Sequence, residues 1–187
     1  MGFLTEVKYQ CNAMREDGKI FWKRRGDGSL FQPLLYILTC HGWHVMILYR
    51  MGKIIYAIPI PVVSHILKIA FRLMHFVIST LYGIEINPIS EIGPGFYIGH
   101  YGGIFVRGDI GKNCSVSQGV TLGAKGAGKS NGWPTLGDNV YIGAGAKILG
   151  VIHVGDNVVV GANAVVTKSV PANSLAVGVP AIFKTRQ

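Results

Sequence analysis

Aliphatic residues recur through the second half of the chain at a spacing of six. Ile86, Ile92, Ile98, Ile104, Ile110, Val116 and Leu122 share one phase, and a second series runs Leu136, Ile142, Ile148, Val154, Val160 and Val166. Glycine follows the aliphatic repeatedly, as at Gly93, Gly111, Gly143 and Gly161. This is not a helical period, and a helix would not tolerate so much glycine. One inward aliphatic and a small residue at a bend, repeated every six positions, predict short strands and corners stacked into a β-solenoid. Such a ladder buries too little in one chain to offset the backbone entropy of ordering it, so burial between subunits is expected as well.

The first half follows a different period. Val63, Ile66, Leu67, Ala70, Leu73, Met74, Val77 and Leu81 form one stripe and His65, Lys68, Arg72, His75 and Ser79 the opposite one, which predicts a helix over 62–82 that starts after Pro59 and Pro61. That helix could cover the end of the solenoid, pack against symmetry mates, or lie in a membrane surface with its basic side toward phosphates. The apolar segment 34–50 is also read as helical, with boundaries blurred by Gly42, and residues 1–30 show no clear pattern. The longest uncharged stretches, 54–67 and 73–84, are interrupted by Lys68 and Arg72 and fall short of the roughly 20 apolar residues of a span, so no transmembrane segment is expected. The chain therefore divides into a helical region, 1–84, and a repeat domain, 85–187. Between Leu122 and Leu136 lie fourteen positions where the repeat would use twelve, and the sequence AKGAGKSNGWP over 124–134 predicts a projecting, functional loop carrying Trp133.

Charge narrows the picture only slightly. The net charge is +9, with ten Lys and Arg against four Asp and Glu in residues 1–84, an excess that suits nucleic acid, anionic lipid or a phosphorylated small molecule. Lys23, Arg24 and Arg25 read as a solvated turn, and no nucleic-acid partner is expected. Cys11, Cys40 and Cys114 are odd in number and widely spaced, which predicts neither a disulfide framework nor a zinc site. The start lacks the basic tip and apolar run of a signal peptide, so the expected location is the cytoplasm, with the inner membrane surface as a further expectation.

The segments IGHYGGIFV, GDIGKNCSVSQGVTLG, GDNVYIGAGAKILG, VGDNVVVGANAVV and AVGVPA resemble the hexapeptide-repeat acyltransferases, most closely the serine acetyltransferase branch. The resemblance implies a mainly β fold, a left-handed parallel β-helix preceded by helices, assembled as a homotrimer with active sites between subunits. The helical region is shorter than in bacterial serine acetyltransferases, so a single trimer is expected. Acetyl-CoA is the implied co-substrate and no metal is implied. The family's catalytic histidine falls on His100, and its orienting carboxylate falls on Glu85, a glutamate where the family has aspartate. The cofactor positions fall on Gly123, Ala124, Gly143, Ala144, Gly161 and Ala162, with Lys168, Lys184 and Lys147 as candidates for the nucleotide phosphates. Carbonic anhydrases on a similar β-helix need three zinc-binding histidines, whereas only His100 and His153 lie in the repeats.

The chemistry fits histidine. An alcohol scarcely ionises at neutral pH, and imidazole, titrating near ~6.5, can take its proton as it attacks the thioester. Where serine acetyltransferases have Asp-His and Arg-His-Pro, this sequence has Gly99-His100 and Gly132-Trp133-Pro134. Gly99, Tyr101 and Trp133 are thus the acceptor-side candidates. Loss of charged groups that would hold a zwitterion points to a sugar hydroxyl in capsule, exopolysaccharide or O-antigen assembly. Serine itself, a sugar amine and a non-catalytic scaffold remain as alternatives.

Overall fold

The computed structural model describes residues 2–24, 39–126 and 132–185. Helices α1 (Phe3–Arg24), α2 (His41–Ala57) and α3 (Pro61–Tyr82) come first. Pro61 sits in the first turn of α3, where its missing N–H removes no helical hydrogen bond, and Gly83 ends the helix in the left-handed region at φ 61°. The helix expected within 34–50 begins at His41 and runs on to Ala57; residues 34–38 lie outside the described residues. Its Gly42 is a packing device, since a Cβ there would stand 2.5 Å from the Ile98 carbonyl oxygen. Lys23 and Arg24 close α1 and form no solvated turn, and the Arg24 guanidinium lies 4.4 Å from the centroid of Tyr97. Arg25 lies outside the described residues.

From Ile84 the chain winds around three parallel sheets. The first face holds β1 (Ile84–Ile86), β3 (Ile104–Val106), β6 (Thr121–Gly123), β9 (Lys147–Leu149) and β12 (Val165–Val166). The second holds β4 (Asp109–Ile110), β7 (Thr135–Leu136) and β10 (His153–Val154), and the third β2 (Tyr97–Ile98), β5 (Ser115–Val116), β8 (Tyr141–Ile142), β11 (Val159–Val160) and β13 (Ser174–Val177). A final strand, β14 (Ile182–Thr185), folds back antiparallel on β13. Each coil visits the third, first and second faces in turn, giving a three-sided solenoid whose interior is the aliphatic ladder. Leu122, Ile142, Ile148, Val154, Val160 and Val166 are all fully buried.

The corners explain residues that the period leaves unassigned. Asn113, Asn139, Asn157 and Asn173 each stand three positions beyond a buried aliphatic of the second face, with φ near 57°. Asparagine tolerates this left-handed turn, and its amide adds a ladder: Asn139 Nδ2 donates to Asn157 Oδ1 at 3.1 Å and Asn157 Nδ2 to Asn173 Oδ1 at 3.0 Å. Cys114 is buried beside this corner, and burial pushes its thiol up to about 11. Cys11 is exposed. Maleimide should therefore label Cys11 in the native protein and reach Cys114 only in denaturant, a difference that intact-mass spectrometry checks; fast native labelling of Cys114 would contradict this packing.

Candidate functional site

His100 lies on the corner between β2 and β3, and strand register shows why it is exposed there. Ile98 pairs with Val116 and Val106 with Leu122, so this corner carries eight positions where the next coil uses six. The following corner, from Val106 to Ile110, is correspondingly short, and Ile104 stacks on Ile84 in place of the Leu122 level predicted from the period. Two added residues cancel against two removed, and the sixfold spacing hides the bulge. Gly102 and Gly103 take φ of 94° and 67° to turn the chain back into β3. Gly99, His100, Tyr101 and Gly102 thus occupy a span filled by only Ser117 and Gln118 one coil below.

His100 and Tyr101 are exposed, and among the described residues no hydrogen bond from the protein holds the His100 ring. Together with Arg24, His41, Tyr97 and Gly99 they line an open cleft of about 360 Å³. The His41 ring lies 4.4 Å from that of Tyr101 and 4.5 Å from that of Tyr82, edge-on to the latter. Arg24, His41 and Tyr97 had no sequence signal as site residues, because α1, α2 and β2 meet only in the folded chain.

Glu85, predicted to orient His100, makes no hydrogen bond to it. Its side chain points outward from β1 and lines a different cleft, of about 670 Å³, with His75, Ser79 and Phe105. Alternation along β1 causes this: with Ile84 and Ile86 buried, Glu85 must face out of the first face.

The small-residue pairs fall on two corners and not in one groove. Gly143-Ala144 and Gly161-Ala162 stack in successive coils on the corner that also carries His100. Asn163 N–H donates to Ala144 O at 2.8 Å, Gly145 N–H to Gln118 O at 2.8 Å and Gly119 N–H to Gly102 O at 2.9 Å. A Cβ on Gly143 would come within 2.7 Å of Ala162 N, so only glycine fits. The result is a column of small positions that begins two coils below the His100 bulge, past Ser117 and Gln118, with Gly143 buried between coils and Ala144, Gly161 and Ala162 at the surface. Gly123-Ala124 instead lies on the next corner, where Gly150 N–H donates to Gly123 O at 2.9 Å. Lys147 is not free for a phosphate, since its Nζ donates to Gly119 O at 2.5 Å. Lys168, beyond β12, and Lys184, on β14, are exposed.

Trp133 sits on that other corner as well. From Leu122 on the first face to Leu136 on the second takes fourteen positions, against six from Ile148 to Val154, so the loop adds eight residues and not the two predicted. Within it, residues 127–131 lie outside the described residues. The Arg107 guanidinium stacks on the Trp133 ring at 3.4 Å, covering one aromatic face, and its buried Nε has no hydrogen-bond partner in the described chain. His153 is on the second face, bonded to Thr135 Oγ1 at 3.0 Å. Among the described residues no group of three or more His, Cys, Asp or Glu is placed to hold a metal ion.

Comparison with known proteins matches residues 134–168 to the family described as bacterial transferase hexapeptide (six repeats). A serine acetyltransferase of Helicobacter pylori is 39% identical over 147 residues, which cover 78% of this chain and 82% of that protein. The chain belongs to the serine acetyltransferase family. A family member from Synechococcus elongatus is 37% identical over 149 residues, but the matched part is 58% of that protein, and for a Synechocystis member it is 65%. The chain thus spans less than two thirds of these two serine acetyltransferases. The crystal structure of serine acetyltransferase from Brucella abortus in complex with coenzyme A superimposes with a TM-score of 0.82 at 29% identity, covering 99% of this chain and 71% of that one.

Proposed function

We propose that this chain is an acetyl-CoA-dependent O-acetyltransferase with His100 as general base, acting as a homotrimer of left-handed β-helices. The observation that carries the proposal is the two-residue bulge, which presents an exposed imidazole at the head of a column of small residues. The column suits the pantetheine arm of acetyl-CoA, because Ala144, Gly161 and Ala162 carry at most a methyl group and leave the peptide groups beside them open to a ligand passing along the corner. His100 takes the acceptor's hydroxyl proton, the oxygen attacks the thioester carbonyl, and main-chain N–H groups stabilise the oxyanion. The homotrimer is part of the same proposal: His100 and Trp133 occupy different corners of one prism, and a site that uses both needs the corner of one subunit to meet the loop of its neighbour.

Serine is the acceptor the relatives support. The Arg107 guanidinium supports this reading, since it supplies beside the loop a cation that Gly132 and Trp133 do not, and a guanidinium suits a carboxylate. A sugar hydroxyl is the second reading, favoured by Gly99, which offers no acid to an ammonium group; a sugar of a capsule, exopolysaccharide or O-antigen would be the substrate, with the enzyme in the cytoplasm. Stacking on Trp133 supports it less than the sequence suggests, because Arg107 already covers one ring face.

Release of coenzyme A thiol, followed over serine, amino sugars and polysaccharide fragments, separates the two readings. Serine should be turned over, and Arg107→Gln should raise its KM about ten-fold or more, the loss of one charge-assisted pair. Turnover of a sugar without turnover of serine would reverse the assignment. No transfer and no coenzyme A binding would remove the transferase reading, and a monomer by analytical ultracentrifugation would remove the shared site.

A further inference from the structure

Helix α3 packs on the body by a narrow mixed face, with Ile78 and Tyr82 against the core, and leaves a broad apolar face outside. Ser64 and Phe71 are buried, and Lys68, His75 and Ser79 are turned partly toward the body, with His75 Nε2 3.1 Å from the Ile86 carbonyl oxygen. Ile66, Ile69, Leu73, Phe76, Val77 and Leu81 point away and are between 51% and 72% exposed. At 100° per residue these and their exposed neighbours fill an arc of about 160°, continuous along the helix. Part of the polar stripe thus lies against the protein while the apolar stripe faces out.

By length and composition the helix is long and apolar enough to cross a membrane, and only 11% of its most apolar window is buried. Its attachments argue against spanning. Tyr82 and Gly83 carbonyls accept from Gly102 and Ile104 N–H at 3.0 and 2.9 Å, fixing its end to the first coil, and its inner face packs on α2 through Phe71, which closes on Gly52. A helix held along its side to a folded body can lie in a bilayer surface but cannot pass through it.

We infer that α3 docks this protein on an anionic lipid surface, its outer arc in the acyl boundary and its cationic edge at the phosphates. Charge complementarity selects lipid as the occupant. No acidic residue occurs in 61–82, and His65 and Arg72 border one edge of the arc with Lys68 behind them. Arg72 Nε reaches the Tyr56 hydroxyl at 3.4 Å and Lys68 Nζ lies 5.3 Å from the same ring, which keeps both cations at the rim of the apolar face. The inference does not depend on the transferase reading.

Flotation of the full chain with phosphatidylcholine vesicles, with and without about a third phosphatidylglycerol, tests it. The protein should float with anionic vesicles and bind neutral ones about ten-fold less or weaker, with binding falling as salt rises. The triple variant Ile66→Gln, Ile69→Gln, Leu73→Gln should lose flotation while keeping its sedimentation coefficient and helicity. Wild-type protein that stays unbound on anionic vesicles, an outcome that needs no variant, overturns the inference. So does a triple variant that floats like wild type. A triple variant that falls to a smaller assembly also overturns it and assigns the face to a second copy of the chain.

Discussion

Replacing His100 by alanine should lower turnover by about 10²- to 10⁴-fold, the range for loss of a general base, while coenzyme A binding and the thermal midpoint stay near wild type. The separation is expected because His100 is exposed and no hydrogen bond from the described chain holds its ring, so truncation removes chemistry and not packing. The column formed by Gly143, Ala144, Gly161 and Ala162 is built by backbone stacking two coils and more below, and it stays in place without the imidazole. Thiol release gives kcat, calorimetry with coenzyme A gives binding, and circular dichroism reports the fold. Near-normal kcat in His100→Ala would end the assignment of a base at this corner. Loss of coenzyme A affinity in step with kcat would instead make the histidine a binding group.

What the sequence discloses about this site is uneven, and the reasons are physical. The solenoid is legible because every coil buries the same kind of residue at the same step, and α3 is legible because proline and glycine punctuate it. Helix α1 is not, because it buries Gln10 and Asp17 along with Ala13 and Phe21, so polar residues occupy positions that a hydrophobic pattern would need. The bulge at His100 is invisible because a lengthened corner and a shortened one preserve the period between Ile98 and Ile110. Glu85 is legible in direction, since an inward Ile86 turns its neighbour outward, but its distance from the His100 ring is not, because the lengthened corner that carries His100 is hidden by the period. Arg107 and Trp133 are 26 positions apart, and only the loop's return to β7 brings the guanidinium onto the indole.

Arg50→Ala should destabilise the protein by about 3–5 kcal/mol, the cost of leaving a buried charge without its partner. Arg50 is fully buried and uses all five of its N–H groups. Nε and Nη2 donate to the two oxygens of Asp17 at 3.0 and 3.3 Å, Nη1 to Gln10 Oε1 at 3.3 Å and Ile92 O at 2.6 Å, and Nη2 also to Gly93 O at 2.7 Å. Asp17 Oδ1 in turn accepts from Gly95 and Phe96 N–H at 2.7 and 3.0 Å. One ionic cluster thus joins α1, α2 and the solenoid corner between Ile92 and β2, which leads on to His100. Burial raises the Asp17 carboxyl above the usual carboxylate range and the guanidinium pulls against that rise, so removing Arg50 strands an acid in the core. Arg50→Lys keeps the charge but not the fork, and should fall between wild type and alanine. In the double variant Asp17→Ala/Arg50→Ala the loss should be smaller than the sum of the two single losses, since no unpaired charge remains. Urea unfolding at one protein concentration measures all four. Strict additivity would mean that the two side chains act independently, and an Arg50→Ala midpoint equal to wild type would mean that the cluster contributes nothing to holding the helices on the solenoid.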